Sequence, residues 1–285
     1  MIPAEFEYVR AGSLKDALTA LAAQDGTKVV AGGHSLIPMM RFRLAQPPRL
    51  VDIGMLADLR GIAEYRRGAR IGAATTYREI LDSELLRERF PLIVETTNSI
   101  GDVQVRNRGT VGGGLAHADP AGDMPAVMVA LGASFNLRSK KGKRSVAASQ
   151  FFRGPFETAI EPDELLTEVI LPPPPRTPGS AYISFEQAAS GYAIVAAAAV
   201  IGLTRRTISH AVVALTGTGA VAPVVKAAEQ LVGTKGEADA IQRVAAQALD
   251  GLEILGDIHA PAEYRRHLAT VAVRRALTTA LERAG

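Results

Sequence analysis

The 285-residue sequence contains no cysteine. Disulfides, zinc–thiolate sites, iron–sulfur ligation and thiol catalysis are therefore excluded from this chain. A cysteine-free chain is compatible with a reducing cytoplasm. Charge of one sign is also scarce. Lys and Arg total 32 against 29 Asp and Glu, a net +3. So small an excess predicts no nucleic-acid partner. Long hydrophobic runs are missing as well. The longest, Ala193 to Leu203, falls short of the roughly 20 residues of a spanning helix and reads as a buried strand. The opening MIPAEFEYVRAG lacks an apolar signal core, so a soluble cytoplasmic protein is expected.

Several catalytic patterns are absent too. There is no G-x-G-x-x-G, no G-x-x-x-x-G-K-[ST], no H-E-x-x-H and no G-x-S-x-G. These absences leave a Rossmann dinucleotide site, a Walker NTPase, a zincin and an α/β-hydrolase unsupported. His34 and His117 could form a metal pair, but no third ligand stands at useful spacing, and no metal site is expected.

What is present is apolar residues, 47% of the chain, in periodic segments. Ser13 and Asp16 read as the cap of a helix through Ala22, followed by strands at 28–31 and 50–53. Thr76 and Glu79 predict a second capped helix to about Arg87. Pro91 opens another, ending near Gly101. Residues 102–122 are glycine-rich and read as loop. Asp123, followed by Pro125, reads as the cap of a helix ending before Gly132. Strands follow near 133–138, 144–147 and 164–171. Four consecutive prolines, Pro172 to Pro175, favour a stiff extended segment and mark a domain boundary. Beyond them, strands at 181–187, 193–203 and 210–215 precede helices at 224–232, 238–249 and 262–283. Strands followed by helices indicate an α+β domain. Arg265-Arg266 and Arg274-Arg275 read as a solvated or interfacial helix face.

Two glycine-rich turns carry the chemistry. The first, Ala31-Gly32-Gly33-His34-Ser35-Leu36, follows a strand. The second is Thr110-Val111-Gly112-Gly113-Gly114, running on through His117 to Asp119 and Asp123. Glycines let backbone N–H groups approach an anion, and successive N–H groups form a nest for phosphate oxygens. Ser35 and Thr110 add hydroxyls. Two such turns suit a pyrophosphate. Asp123 could cap its helix and also accept a bond from a polyol hydroxyl. Tyr192, at a strand start, could stack on a planar ring or sit in the core.

KVVAGGHSLIPMMRFRL, from Lys28 to Leu44, resembles the first flavin signature of the FAD-binding medium subunits of molybdenum hydroxylases. DVQVRNRGTVGGG from Asp102, then AHADPAGDMPA to Ala126, resembles the second. The start, Ile2 to Tyr8, and the late AEYRRHL from Ala262 are similar too. The family includes the medium subunit of aerobic carbon monoxide dehydrogenase and the FAD subunit of xanthine dehydrogenase. The resemblance implies a two-lobed PCMH/VAO-type FAD-binding domain over 1–175, with lobes of about 1–55 and 56–175. A smaller α+β flavoprotein domain, an antiparallel sheet with helices, would occupy 176–285. It implies FAD contacts at Ala31 to Leu36, Ile100, Gly101, Thr110 to Gly114, His117, Asp123 and Tyr192. No catalytic residue is implied in this chain. Electrons would pass from iron–sulfur clusters through FAD to an acceptor such as quinone. The molybdenum cofactor and the 2Fe-2S clusters would belong to a large and a small partner subunit, as a dimer of heterotrimers, with a membrane-associated acceptor an option. The chain departs from the family pattern at Gly191, where an acidic residue is common, at Glu186 and Ala188-Ala189, where carbon monoxide dehydrogenases are basic, and at Gly114. A self-contained flavin oxidase or reductase, or a scaffold with a vestigial cofactor site, would be the competing readings.

Overall fold

In the computed structural model, which describes residues 2–219 and 221–285, helix Leu14–Leu21 begins where Ser13 accepts a hydrogen bond from the Asp16 N–H. Its Ala17, Leu18 and Leu21 are buried, the first two in a small core that includes Val51 and Ile53. This helix links the outer strands of a parallel sheet ordered Glu7–Arg10, Arg49–Asp52, Lys28–Val30. The chain leaves the carboxyl end of Lys28–Val30 straight into the first glycine turn, the end of a parallel sheet at which ligands are commonly held. Helix Leu36–Arg41 follows.

A second lobe is built on five antiparallel strands: Ile62–Tyr65, Gly68–Gly72, Leu165–Leu171, Ser134–Ser139 and Gly142–Ala147, in that spatial order. Helices cover one face. The capping box at Thr76 and Glu79 forms as expected. The single helix expected to Arg87 is instead two, Tyr77–Asp82 and Glu84–Arg89. Ser83 is extended between them, and its hydroxyl caps the second by accepting from the Leu86 N–H at 3.3 Å. Helix Pro91–Ser99 follows.

The last part is an antiparallel meander of Pro178–Glu186, Ala193–Thr204 and Thr207–Thr216. Its alanine-rich middle strand is buried on both faces, as successive side chains alternate. Ala196, Ala198 and Val200 join the core of the second lobe with helix Asp123–Ala130. Ala197, Ala199 and Ile201 join Ala272, Ala276 and Ala280 of helix Ala262–Arg283. Met124 to Ala130 are all buried, as required of a helix held between two layers. Helix Ala238–Ala246 completes the outer layer, ending short of the expected Leu249. The segment expected as helix 224–232 is a 3-10 turn, Lys226–Leu231. The architecture is α+β, as expected.

Two hairpins turn on paired arginines, Arg66-Arg67 and Arg205-Arg206, all four with φ between 49° and 62°. Left-handed backbone costs a non-glycine residue roughly 1–2 kcal/mol, and Asn-Gly is the preferred pair in such turns. The double change Arg205→Asn, Arg206→Gly is expected to stabilise the chain by about 1–2 kcal/mol, a rise of roughly 2–4 °C in thermal midpoint. Differential scanning calorimetry checks it; an unchanged or lower midpoint contradicts the turn assignment.

Candidate functional site

The first glycine turn is a nest of unused donors. Gly33 has φ +78°, the left-handed backbone that glycine permits. Among the described residues, no acceptor meets the backbone N–H of Gly32, Gly33, His34, Ser35 or Leu36. Ser35 begins helix Leu36–Arg41 without a side-chain cap, so its hydroxyl is also uncommitted. His34 is exposed and its Nδ1 lies 3.1 Å from the Gly32 oxygen.

The second turn differs from expectation. Residues 102–122 hold two short helices, Val103–Arg108 and Val111–His117. The Thr110 hydroxyl does not face outward as a donor. It caps the second helix by accepting from the Gly113 N–H at 3.2 Å. Val111 N–H donates to the Thr75 oxygen at 3.0 Å, Gly112 N–H to Ala73 at 2.9 Å, and Gly114 N–H to Thr110 at 3.0 Å. These amides are spent, so the second turn is a smooth wall rather than a second nest. A Cβ on Gly112 would lie 2.5 Å from that of Ala73, and one on Gly114 would overlap the Tyr77 hydroxyl. Gly113 is exposed and would meet only the Thr110 hydroxyl.

The two turns touch. A Cβ on Gly32 would overlap the Arg108 carbonyl oxygen and sit 2.8 Å from the Gly109 Cα. Ile100 and Gly101 stand just before helix Val103–Arg108. Arg106 Nη1 donates to both their carbonyl oxygens, at 3.0 and 2.8 Å, and Gly101 has φ +53°.

The third wall runs from His117 to Asp123. Burial lowers the His117 pKa, leaving the imidazole neutral at pH 7, and its ring centroid lies 5.1 Å from that of Phe156. Asp123 does not cap its helix; Gly122 holds that position. The Asp123 carboxylate instead accepts from the Tyr182 hydroxyl at 2.5 Å. Burial pushes its pKa up to about 6; the Tyr182 bond opposes this, and Glu186 and Asp119 add to it. Burial followed by the charge of Asp123 raises the pKa of Tyr77 and of Tyr182, and burial followed by Asp119 and then Asp123 raises that of Tyr192. The Asp123 carboxylate thus ties the start of its helix to the meander through Tyr182. Tyr192 is 49% exposed at the start of its strand. No motif in the sequence marks Tyr77 or Tyr182. Arg265 is the opposite case, buried rather than on a solvated face.

No group of three or more metal-binding side chains occurs among the described residues. Nor is any described helix long and apolar enough to cross a membrane. A cavity of about 640 Å³ lies elsewhere, lined by Phe90, Gly132, Pro172 to Pro175, His210 and Arg283. It sits at the far end of helix Asp123–Ala130 from Asp123, without the glycine turns or Tyr192.

The family profile described as FAD binding domain in molybdopterin dehydrogenase matches residues 4–174. The chain belongs to this family. A second profile, CO dehydrogenase flavoprotein C-terminal domain, matches residues 180–280. The chain is similar to the carbon monoxide dehydrogenase medium chain of Afipia carboxidovorans, 40% identical over 100% of this chain and 99% of that one. A solved carbon monoxide dehydrogenase from Hydrogenophaga pseudoflava, lacking the Mo-pyranopterin moiety of its cofactor, superposes with TM-score 0.97 at 37% identity, covering 100% of both chains. The quinoline 2-oxidoreductase of Pseudomonas putida 86 superposes with TM-score 0.93 at 31% identity, over 100% of this chain and 99% of the other. The glycine turns thus sit in a family of FAD-binding subunits of molybdenum-dependent oxidoreductases.

Proposed function

We propose that this chain is the FAD-carrying electron-transfer subunit of a molybdenum hydroxylase, with its site between the two glycine turns. The observation that carries the reading is the run of five uncommitted amides from Gly32 to Leu36, set against the glycine wall at Thr110 to Gly114. An anionic diphosphate suits that donor set. FAD, when bound, supplies a centre that takes electrons singly and gives them up in pairs.

The chain's own residues bind and orient. Amides from Gly32 to Leu36 and the Ser35 hydroxyl hold phosphate oxygens. Gly113 lets the diphosphate lie against the backbone. Asp123 accepts a hydrogen bond from a polyol hydroxyl, and neutral His117 borders it without adding charge. Tyr192 offers its exposed ring to the isoalloxazine, while Ala31, Ile100 and Gly101 shape the edge. No side chain is needed as a proton-transfer catalyst. The FAD-binding domain spans 1–175 and the C-terminal domain 176–285.

Cysteine is absent, so iron–sulfur clusters and the molybdenum cofactor reside in a small and a large partner subunit, assembled as a dimer of heterotrimers. Carbon monoxide is the substrate assigned to the molybdenum partner, supported by full-length identity of 40% to a carbon monoxide dehydrogenase medium chain. The acceptor after FAD is an external carrier such as a quinone.

Titration of the flavin-free full chain with FAD tests the reading. One equivalent is expected to bind, with quenched flavin emission. A chain that ignores added FAD sinks it. Pull-down from the native host is expected to bring two further subunits carrying molybdenum and iron; an active protein that runs alone refutes the relay.

A further inference from the structure

Arg265 lies in helix Ala262–Arg283, yet it is only 6% exposed. Its guanidinium makes four contacts to acceptors. Nη1 donates to the carbonyl oxygens of Ile194, at 2.5 Å, and Gly217, at 2.6 Å. Nη2 donates to Asp257 Oδ2 at 2.6 Å, and Nε to the Ala260 oxygen at 3.4 Å. Ile194 and Gly217 stand where a ladder ends. The last paired residues there are Ala196 and Thr216. Gly217 has φ +78°, and a Cβ on it would overlap the Ile194 oxygen. Two strand-end carbonyls thus point at one cation instead of at each other's amides.

Both carbonyls lead to the surface described above. Ile194 is two residues from Tyr192. The Gly217 N–H donates to the Pro120 oxygen at 2.9 Å, and the neighbouring Thr216 hydroxyl donates to the Gly122 oxygen at 3.2 Å. Pro120 and Gly122 lie between His117 and Asp123. The guanidinium therefore fixes, from behind, the strand start that carries Tyr192 and the loop that carries Asp123.

We propose that Arg265 is a positioning residue for the flavin site, locking Tyr192 and the 117–123 segment in register through Ile194 and Gly217. The assignment rests on the reading of that surface as the FAD site. Arg265 touches no part of the site itself. Its removal leaves the buried Gly217 carbonyl and the partly buried Ile194 carbonyl without that donor, and buried polar groups without partners are strongly disfavoured. A lysine ammonium can satisfy one or two of the four acceptors; methionine fills the volume and satisfies none.

The test uses the full-length chain, first without flavin. Amide hydrogen exchange is read in peptides covering 117–123 and 190–196, with helix Asp123–Ala130 as internal reference. Arg265→Met is expected to speed exchange about tenfold or more in both peptides, and Arg265→Lys to restore part of the protection. Asp257→Asn keeps both carbonyl bonds and is expected to leave the two peptides within about twofold of the parent. FAD is then titrated. The Met variant is expected to bind FAD about tenfold more weakly or worse, with less quenching of flavin emission. Unchanged exchange in the Met variant overturns the latch, and so does faster exchange with unchanged FAD affinity and quenching. If Arg265→Met fails to fold, the Lys variant is compared with the parent by the same two measurements and judged by the same outcomes. Should the parent itself bind no FAD, the functional reading fails, while the exchange data still decide whether Arg265 holds these segments.

Discussion

Gly32→Ala is expected to destabilise the chain by about 3 kcal/mol or more and to abolish FAD binding. The added methyl would overlap the Arg108 carbonyl oxygen and sit 2.8 Å from both the Arg108 carbonyl carbon and the Gly109 Cα. Those are backbone atoms, and no rotamer change can relieve the collision. Overpacking against side chains typically costs about 1–3 kcal/mol, and a backbone clash lies at or beyond the top of that range. The methyl acts at the contact between the lobes, so it also separates the nest at Gly32 to Leu36 from the wall at Thr110 to Gly114. Gly113→Ala isolates the binding effect. Its Cβ would lie 2.8 Å from the Thr110 hydroxyl alone, so that side chain must shift, while alanine favours a helix over glycine by roughly 0.5–1 kcal/mol. That variant is expected to unfold within about 1 kcal/mol of the parent while losing FAD affinity by about a hundredfold or more. Thermal unfolding and FAD titration, run on both variants, separate the two roles. If Gly32→Ala unfolds at the parental midpoint and still binds FAD, the close approach of the turns is wrong.

The contrast between these glycines shows what the sequence could and could not convey. A glycine pair after a strand marked the first turn, a glycine triplet marked the second, and the Ser13 and Thr76 caps marked two helix starts, because those signals act over three or four residues. The division of labour within the turns was not legible. Gly32 and Gly112 are glycine because backbone or an alanine methyl from elsewhere in the chain presses on them, a tertiary fact. The helix at 111–117 escaped detection for the same reason. Three glycines in a row argue against a helix on propensity, and this one is held by the Thr75 and Ala73 carbonyls, far upstream in the chain. Arg265 shows the same limit from the other side. Charge on a helix predicts solvent, and only the folded chain reveals that two strand-end carbonyls and Asp257 converge on it.

Asp123→Asn is expected to raise the stability of the flavin-free chain at pH 8 by up to about 3 kcal/mol while weakening FAD binding. The Asp123 carboxyl ionises near its ordinary 3.8 in the unfolded chain and at about 6 in the fold. A carboxylate whose folded pKa is raised gives stability that is fully present below pH 3.8 and is lost as pH climbs through about 6. Above that range the folded chain carries a desolvated charge, and the gap between the two values corresponds to about 3 kcal/mol. Asparagine keeps an oxygen for the Tyr182 hydroxyl, which approaches Asp123 at 2.5 Å, but never ionises. The variant and the parent should therefore converge near pH 4 and diverge toward pH 8, as followed by denaturant unfolding across that range. The same ionised oxygen is the acceptor proposed for a polyol hydroxyl of FAD, and charged acceptors make hydrogen bonds roughly twice as strong as neutral ones. FAD affinity of the variant should fall about tenfold at pH 8. A parent whose stability does not decline between pH 4 and pH 7 relative to Asp123→Asn would mean that the carboxylate is solvated. A solvated carboxylate costs the fold nothing, and no ligand would be needed to account for it.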